Sequence, residues 1–305
     1  MARSAVDPLA AWLREQLQIS VVVRTPVGGG CIHSAWRLQT ADGEQLFAKT
    51  NRADKLPLLE AEAEGLLALG RVAPPTLVIP RPLAIGVAGD QAVLVMPWLE
   101  LARGPGSPGA WETCGADLAR LHRQSLLGAP QQGGVALAFG WGQDNFIGAS
   151  PQINGWRESW SSFFAECRLA PQLRWLAEKG RPMAGADPLL ERLPEWLNNH
   201  GAQPCLVHGD LWSGNGALLA DGGGSVFDPA IYHGDRETDL AMARLFGGFP
   251  EAFFNGYNEE WPLPKGWGKR IEIYNLYHLL NHANLFGGGY MKQAQSVIHG
   301  LLGLH

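Results

Sequence analysis

Cysteine is scarce in this sequence, and its few cysteines are scattered. The four stand singly, with no CxxC pair among them: Cys31, Cys114, Cys167 and Cys205. Closely paired cysteines are typical of disulfide frameworks and of zinc sites, so neither is expected to hold this fold together. A chain of this kind is expected in a reducing compartment, and we predict the cytoplasm.

Long apolar runs and blocks of like charge are missing as well. No stretch of about 18 apolar residues occurs, so no membrane span is predicted. Asp7, Arg14 and Glu15 interrupt the N-terminal segment where a signal peptide would be apolar. The formal net charge of −5 includes no charged block, so we expect no nucleic-acid partner and no membrane partner. A monomer or a weak dimer is expected.

The 305 residues are 46% hydrophobic and 17% charged, which is enough to bury a sizeable core in two lobes. In the N-terminal part, alternating patterns and turn signals predict an antiparallel sheet with one inserted helix at 56–69. The strands are predicted at 21–23, 35–39, 45–50, 83–87 and 92–96.

Beyond a glycine- and proline-rich connection at 102–109, most segments have helical patterns. Helices are predicted at 110–122, 159–179, 188–200, 238–245 and 271–285. A strand at 205–207 and a hairpin of 217–219 with 225–227 interrupt them. The sequence therefore predicts an α+β, bilobal fold, with an N-terminal lobe at 1–99 and a larger, mainly helical C-terminal lobe at 100–305.

The segment His208-Gly209-Asp210 carries the strongest chemical signal. Asn215 follows Asp210 by five positions, and Asp228 follows Asn215 by thirteen, after the predicted hairpin. Asp210 and Asn215 have the spacing of the catalytic aspartate and metal-binding asparagine of protein kinases. Phosphoryl transfer needs a carboxylate that accepts the hydroxyl proton and oxygen ligands for Mg²⁺. We therefore predict Asp210 as the base, and Asn215 and Asp228 as the metal ligands.

A kinase also needs a loop over the ATP phosphates, and the glycine cluster between the first two strands is placed for it. Gly28, Gly29 and Gly30 would let backbone amides approach phosphate oxygens, and Ser34 would add a donor. The thiol of Cys31 lies inside this loop. Its oxidation is a hypothesis for inhibition or cross-linking of two chains.

Lys49, on the third predicted strand, is placed to reach the α- and β-phosphates if a helix glutamate holds it. Helical periodicity puts Glu62 on the same stripe as Leu59 and Leu66, whereas Glu60 and Glu64 are predicted to face solvent. A carboxylate on a buried stripe is costly unless it is paired. Glu62 is therefore predicted as the partner of Lys49.

The strand at 92–96 runs into the predicted connection between the lobes. Its position predicts that Met96, Trp98 and Leu99 form the hinge against which adenine stacks, although an ordinary buried strand would be equally hydrophobic. These residues complete the predicted ATP site.

With these residues in place, the chain resembles the fructosamine/ketosamine-3-kinase family, which has the aminoglycoside-phosphotransferase-like, protein-kinase-like fold. The match covers nearly the whole chain. The most specific segments are HGDLWSGN (208–215) and DPAIYHGDRETDLAM (228–242), and others are GGGCIHSAWRL (28–38), GWGQDNFIG (140–148) and LYHLLNHANLFGGGY (276–290). The resemblance implies ATP-dependent phosphorylation of the C3 hydroxyl of a ketosamine, with Mg²⁺, in a deglycation repair.

Residues on the sugar side are predicted from position and residue type. Trp212, two positions after the base, is expected to stack on the sugar, and Asp235 to bind sugar hydroxyls or the substrate amine. Asn145 either contacts the substrate or closes its own loop. Asp239 is expected to cap the helix that follows it.

Two alternatives remain open on the sequence. One is a phosphotransferase for an aminoglycoside, choline or another hydroxyl compound. The other is a pseudokinase that binds nucleotide without turnover, against which the presence of Lys49, Asp210, Asn215 and Asp228 argues.

Overall fold

The structure, a computed structural model, describes residues 7–28, 32–128, 131–132, 135–136 and 139–304. The predicted loop residues Gly29, Gly30 and Cys31 lie outside the described residues. Cys114, Cys167 and Cys205 are buried and have free thiols. In the part of the chain that is described, no helix is both long enough and apolar enough to cross a membrane.

A five-stranded antiparallel sheet forms the N-terminal part, as predicted. In the order in which the strands lie side by side, they are β1 (Val21–Val27), β2 (Ser34–Thr40), β3 (Gln45–Arg52), β6 (Gln91–Pro97) and β5 (Ala84–Ala88). A short strand, β4 (Leu77–Val78), precedes β5 and pairs elsewhere. Four of these strands are longer than predicted, because the ladder continues past the apolar positions, whereas β5 has the predicted length and is shifted by one residue.

Two helices cover the two faces of this sheet. Helix α1 (Pro8–Leu17) begins where the Asp7 side chain accepts a hydrogen bond from the N–H of Leu9 at 3.0 Å, as an N-cap does. It packs with the buried face that includes Leu38 and Ala48. Helix α2 (Leu56–Val72) packs against the other face, which leads toward the catalytic residues.

The C-terminal part is mainly helical, and it contains two helices that the sequence patterns did not predict. Its helices are α3 (Pro108–Ser125), α4 (Trp160–Phe163), α5 (Ala170–Glu178), α6 (Ala186–Leu197), α7 (Glu237–Leu245), α8 (Glu251–Glu260), α9 (Trp267–Phe286) and α10 (Gly289–Leu302). The single helix predicted at 159–179 is α4 and α5 joined by a π-helical segment, Phe164–Leu169.

Helix α8 escaped prediction because a glycine lies inside it. At Gly256 a Cβ atom would stand 1.9 Å from the carbonyl oxygen of Glu112, and at Gly115 it would stand 1.9 Å from that of Phe253. The two glycines therefore let α3 and α8 cross with their backbones in contact. Tertiary packing outweighs the low helix propensity of glycine here.

Short strands bring the catalytic segments together. They are β7 (Gln131–Gln132), β8 (Val135–Ala136), β9 (Asn145–Ile147), β10 (Ser150–Gln152), β11 (Cys205–Val207), β12 (Gly216–Leu218), β13 (Gly224–Val226) and β14 (Tyr232–Gly234). Strand β11 pairs antiparallel with β14, and the predicted hairpin is β12 and β13. Strand β4 adds to β13 in parallel, so a segment of the N-terminal part joins the hairpin.

Candidate active site

Gly209 lets the chain turn sharply after β11. Its φ of +80° lies in the left-handed region, which favours glycine. A Cβ atom at this position would stand 2.0 Å from the carbonyl oxygen of Ala230, so no side chain fits. His208 fixes the same turn, because its Nδ1 accepts the N–H of Asp210 at 3.3 Å and its Nε2 lies 2.9 Å from the carbonyl oxygen of Phe227. The turn places Asp210 at the end of β11.

The prediction that Asp239 caps the following helix is wrong. Helix α7 begins at Glu237, so Asp239 lies inside its first turn. Its fully buried carboxylate accepts the N–H of His208 at 2.7 Å and that of Gly209 at 2.8 Å, and it lies 3.0 Å from Nε2 of His122. Burial alone would raise the pKa of Asp239, but these hydrogen bonds and the nearby imidazoles lower it. An ionised Asp239 therefore holds the backbone of the catalytic turn.

Asn215 and Asp228 lie beside Asp210, as their spacing predicted. The Nδ2 of Asn215 donates to the carbonyl oxygen of Asp210 at 2.9 Å and lies 3.3 Å from its Oδ2. It also lies 3.4 Å from the carbonyl oxygen of Asp228. Asp228 has a φ of +59°, and strain of this kind in a residue other than glycine concentrates at functional sites. The hairpin β12–β13 thus returns the second carboxylate to the first.

Lys49 connects the sheet to this group of carboxylates. Its Nζ lies 2.8 Å from Oε1 of Glu62, the glutamate selected by helical periodicity, and it also contacts Oδ1 of Asp228. Lys49 and Glu62 are both buried. Side chains alternate between the two faces of β3, which puts Lys49 on the face that α2 covers. The helical period puts Glu62 on the side of α2 that faces the sheet, so the two side chains meet.

The two other glutamates of α2 have different environments. Glu60 is exposed, as predicted. Glu64 was predicted to face solvent as well, and that prediction is wrong: it is half-buried, and it accepts hydrogen bonds from Nε1 of Trp141 at 3.1 Å and from Nε2 of Gln143. Its partners come from a loop 77 and 79 positions later in the chain, which the periodicity of one helix cannot reveal.

Negative charge exceeds positive charge in this site. Burial, with the repulsion from Asp228, raises the pKa of Asp210 to about 7. Burial disfavours the charged form of Lys49, but the two carboxylates outweigh it and raise the pKa of Lys49. Burial and the charge of Asp228 raise the pKa of Glu62, although Lys49 opposes the rise. Two acidic side chains therefore share one ammonium, and Asp210 adds a third acidic group nearby, which favours the binding of a further cation.

The oxygen atoms at this point fit a magnesium ion. Asn215 uses its Nδ2 for the loop, and its Oδ1 accepts no hydrogen bond from any residue that the structure describes. Asp228 offers a carboxylate close by. Amide and carboxylate oxygens are the ligands that Mg²⁺ takes in proteins, and an excess of negative charge supplies the attraction.

The predicted nucleotide residues lie along the sheet and at its end. Gly28 and Ser34, on either side of the glycine cluster, are exposed. Met96 is buried on β6 beside β3, while Trp98 and Leu99 are half-buried just after β6. The Trp98 ring lies 6.2 Å from that of Phe47, which is two residues before Lys49. The predicted hinge therefore borders the strand that carries Lys49.

His33 lies near Lys49, and the sequence analysis missed it. Its Nδ1 lies 3.0 Å from Nδ2 of Asn51, which also donates to the carbonyl oxygen of Ile32 at 3.0 Å. Burial and the positive charge of Lys49 lower the pKa of His33 to about 4, so the ring is neutral near pH 7. The position of this histidine beside the glycine cluster was the signal that could have identified it.

Trp212 is the one predicted sugar-side residue that stays partly exposed. It is 39% exposed and comes two residues after Asp210. Its ring lies over Gly214, where a Cβ atom would stand 2.3 Å from a ring carbon. The loop that contains Gly248 packs on the neighbouring Ser213. This location is compatible with stacking on a sugar.

Asp235 is not brought to Asp210, so the structure gives no support to its predicted contact with the substrate. Strand β14 runs antiparallel to β11, and Asp235 follows it at the end opposite to Asp210. Its carboxylate is buried and accepts the hydroxyl of Tyr274 at 2.6 Å, the N–H of Glu237 at 3.1 Å and a hydrogen bond from His200 Nε2 at 2.5 Å. Asp235 therefore joins β14 to α7 and α9.

Asn145 closes its own loop, which was one of the two predicted roles. Its Nδ2 donates to the carbonyl oxygen of Ile231 at 2.8 Å, and its Oδ1 accepts from Gln152 and Asn154, each at 2.8 Å. Asn145 is buried, and its hydrogen-bonding atoms are all used. The substrate role is therefore not supported, and Asn145 supports the segment that follows Asp228.

Comparisons with known proteins match this chain along nearly its whole length. A family model described as fructosamine kinase matches residues 6–303. A probable ketoamine kinase of Synechocystis sp. is 44% identical over 302 residues, which are 96% of this chain and 97% of that protein. Protein-ribulosamine 3-kinase, chloroplastic, of Arabidopsis thaliana is 35% identical over 303 residues, 98% of this chain and 88% of that protein.

A solved structure has the same fold. The crystal structure of a candidate fructosamine-3-kinase from Haemophilus somnus superimposes with a TM-score of 0.83 at 28% identity and covers 96% of each chain. The family resemblance, the α+β kinase-like fold and the ATP-dependent kinase activity predicted from the sequence are confirmed. The chain belongs to the fructosamine kinase family.

Proposed function

We propose that this protein is a ketosamine 3-kinase that transfers the γ-phosphate of ATP to the C3 hydroxyl of a fructosamine or ribulosamine. The observation that carries the proposal is the convergence of Asp210, Asn215 and Asp228 on the Lys49–Glu62 pair. The names of the relatives supply the acceptor class, and two of them specify position 3. Phosphorylation at C3 makes the adduct fall apart and free the amine, so the reaction serves deglycation.

Asp210 acts as the base in this proposal. The substrate hydroxyl lies against its carboxylate, which accepts the hydroxyl proton as the oxygen forms its bond to the γ-phosphorus. The bond between that phosphorus and the β–γ bridging oxygen breaks, and ADP leaves with its electron pair. A carboxylate with a raised pKa is suited to hold a proton during transfer.

The remaining site residues hold the nucleotide. Lys49 reaches the α- and β-phosphates and is oriented by Glu62, while the glycine cluster with Ser34 covers the phosphates and 96–99 borders the adenine. Mg²⁺, held by Oδ1 of Asn215 and the carboxylate of Asp228, would neutralise charge on the phosphates. Trp212 offers an aromatic face to the sugar.

The same proposal includes the organisation and location of the protein. Residues 1–99 form the nucleotide-binding lobe, and residues 100–305 form the catalytic and substrate-binding lobe. The protein acts in the cytoplasm as a monomer or a weak dimer.

Consumption of ATP by the purified protein with a panel of acceptors tests the proposal. We expect turnover with ribulosamine, erythrulosamine or fructosamine and none with aminoglycosides or choline. Turnover with an aminoglycoside or choline alone would replace the proposed acceptor class. Binding of ATP without turnover on any acceptor would indicate a pseudokinase. Asp210→Ala should keep ATP binding and lose turnover.

A further inference from the structure

The hydrogen bonds of Glu64 join helix α2 to the C-terminal part of the protein. Its Oε1 accepts from Nε1 of Trp141 at 3.1 Å, and its Oε2 accepts from Nε2 of Gln143. Glu62, two residues earlier on α2, holds Lys49 on the opposite side of the helix. The helix is thus bonded to the sheet on one side and to the loop at 139–154 on the other.

The loop that receives Glu64 is fixed to the catalytic strands. The backbone N–H of Trp141 donates to the carbonyl oxygen of Asn154 at 2.9 Å, and the Trp141 ring stacks on His233 with centroids 5.6 Å apart. Gly140 and His233 exchange two backbone hydrogen bonds of 3.0 and 2.8 Å. Since His233 lies on β14, which pairs with β11, the loop that donates these hydrogen bonds is joined to the strand that precedes Asp210.

A second contact places the next residue of α2 against the metal-ligand segment. At Gly65 a Cβ atom would stand 2.9 Å from the Pro229 ring, so the helix backbone packs directly beside the residue after Asp228. This contact and the packing of Leu59 and Leu66 on the sheet set how close α2 comes. The two bonds of Glu64 add directional hydrogen bonds on the side of α2 away from Glu62, and they oppose a rotation of the helix.

We propose that Glu64 is a positioning residue, which aligns α2 across the two parts of the protein so that Glu62 holds Lys49 for ATP. This proposal depends on the phosphate-binding role proposed above for Lys49 and Glu62. When the bonds of Glu64 are lost, α2 rotates, Glu62 separates from Lys49, and Lys49 remains paired with Asp228 and away from the phosphates. In this proposal Glu64 acts through Glu62 rather than by contact with ATP or acceptor.

Kinetics of Glu64→Ala, with Glu60→Ala as the matched control on the same helix, test the proposal. We expect Glu64→Ala to lower kcat/KM for ATP about tenfold, since two partly exposed hydrogen bonds to a carboxylate are lost. KM for the acceptor should change little. Glu60→Ala removes an equal charge from an exposed site and should match wild type. Trp141→Phe keeps an aromatic ring but loses the indole N–H donor, so it should reproduce part of the loss.

The effects of substitutions at Glu62 and Glu64 should also be non-additive. If Glu64 acts through Glu62, then Glu64→Ala introduced into the Glu62→Gln variant should lower kcat/KM for ATP by much less than the tenfold expected for Glu64→Ala in wild type. A full tenfold further loss, or equal kinetics for Glu64→Ala and Glu60→Ala, would overturn the proposal. Binding of a fluorescent ATP analogue without acceptor should weaken in Glu64→Ala. This binding assay tests Glu64 even if no ketosamine is phosphorylated, so failure of the proposed acceptor class is detected separately.

Discussion

Replacement of Asp210 by asparagine should stabilise the fold while it removes activity. Burial and the nearby charge of Asp228 raise the pKa of Asp210 to about 7 in the free protein, whereas an unfolded aspartate titrates near 4. Between about pH 4 and pH 7, Asp210 therefore binds more protons in the folded protein than in the unfolded chain. Above pH 7 the carboxylate is charged at a cost to folding, and asparagine has the shape of the acid without that charge.

The expected stabilisation by Asp210→Asn follows from the rise in the pKa of Asp210 on folding. A rise of about three pKa units corresponds to about 4 kcal/mol, at 1.36 kcal/mol for each unit. Asp210 is half-buried, so solvent screening reduces this figure to about 2 kcal/mol. For a protein of this length the gain in Tm is about 4 °C. The gain should be complete above pH 7, shrink as the pH falls, and vanish near pH 4.

Urea denaturation of wild type and Asp210→Asn at several pH values, with a chelator present and no nucleotide, measures this gain. Asp90→Asn, at an exposed turn, is the control and should change the free energy of unfolding by less than about 0.5 kcal/mol. Loss of the base should also reduce kcat at least about 100-fold. If Asp210→Asn is no more stable than wild type at pH 8, or is equally stabilised at pH 4 and pH 8, the raised pKa is wrong.

Three further changes test the turn and the charges around it. Gly209→Ala should lower the free energy of unfolding by about 3 kcal/mol or more, because of its positive φ and the clash with Ala230; unchanged urea unfolding would contradict the geometry. Asp239→Asn should lose about 2 kcal/mol at pH 7, because charge-assisted bonds to the turn are lost. The pKa of Asp239 is lowered, so its stabilisation is present above pH 4 and lost as the pH falls through the folded pKa; a difference from wild type that is constant with pH would argue against it. His33 should stay neutral in NMR titrations down to pH 5, and Lys49→Met should raise its pKa; a pKa near 6.5 in wild type would contradict the burial of His33 next to Lys49.

Residues whose partners lie nearby in sequence or share a periodic element could be predicted. Glu62 was chosen correctly as the contact of Lys49 because one helix period selects the buried stripe. Asp210 and Asn215 are five positions apart in one loop, and a hairpin returns Asp228 to them. Short-range geometry is enough in each of these cases.

Residues whose environment depends on distant elements could not be predicted. Asp235 is a polar residue in a specific motif, but its carboxylate is occupied by His200 and by Tyr274, 35 and 39 positions away. Asp239 has the sequence context of a helix cap, and only the folded chain shows that it faces the N–H groups of the catalytic turn. The contacts of these residues depend on distant parts of the chain, and the sequence of a single helix or strand does not reveal them.

The most direct test of the proposed function is the position of the phosphate in the product. Wild-type protein, ATP, Mg²⁺ and a ribulosamine of lysine would be combined, and the phosphorylated carbon identified by NMR. We expect phosphate on the C3 oxygen, followed by release of free lysine, and no phosphorylated product with Asp210→Asn. Phosphate on another hydroxyl, or equal product from Asp210→Asn, would contradict the assignment of a ketosamine 3-kinase that acts through Asp210.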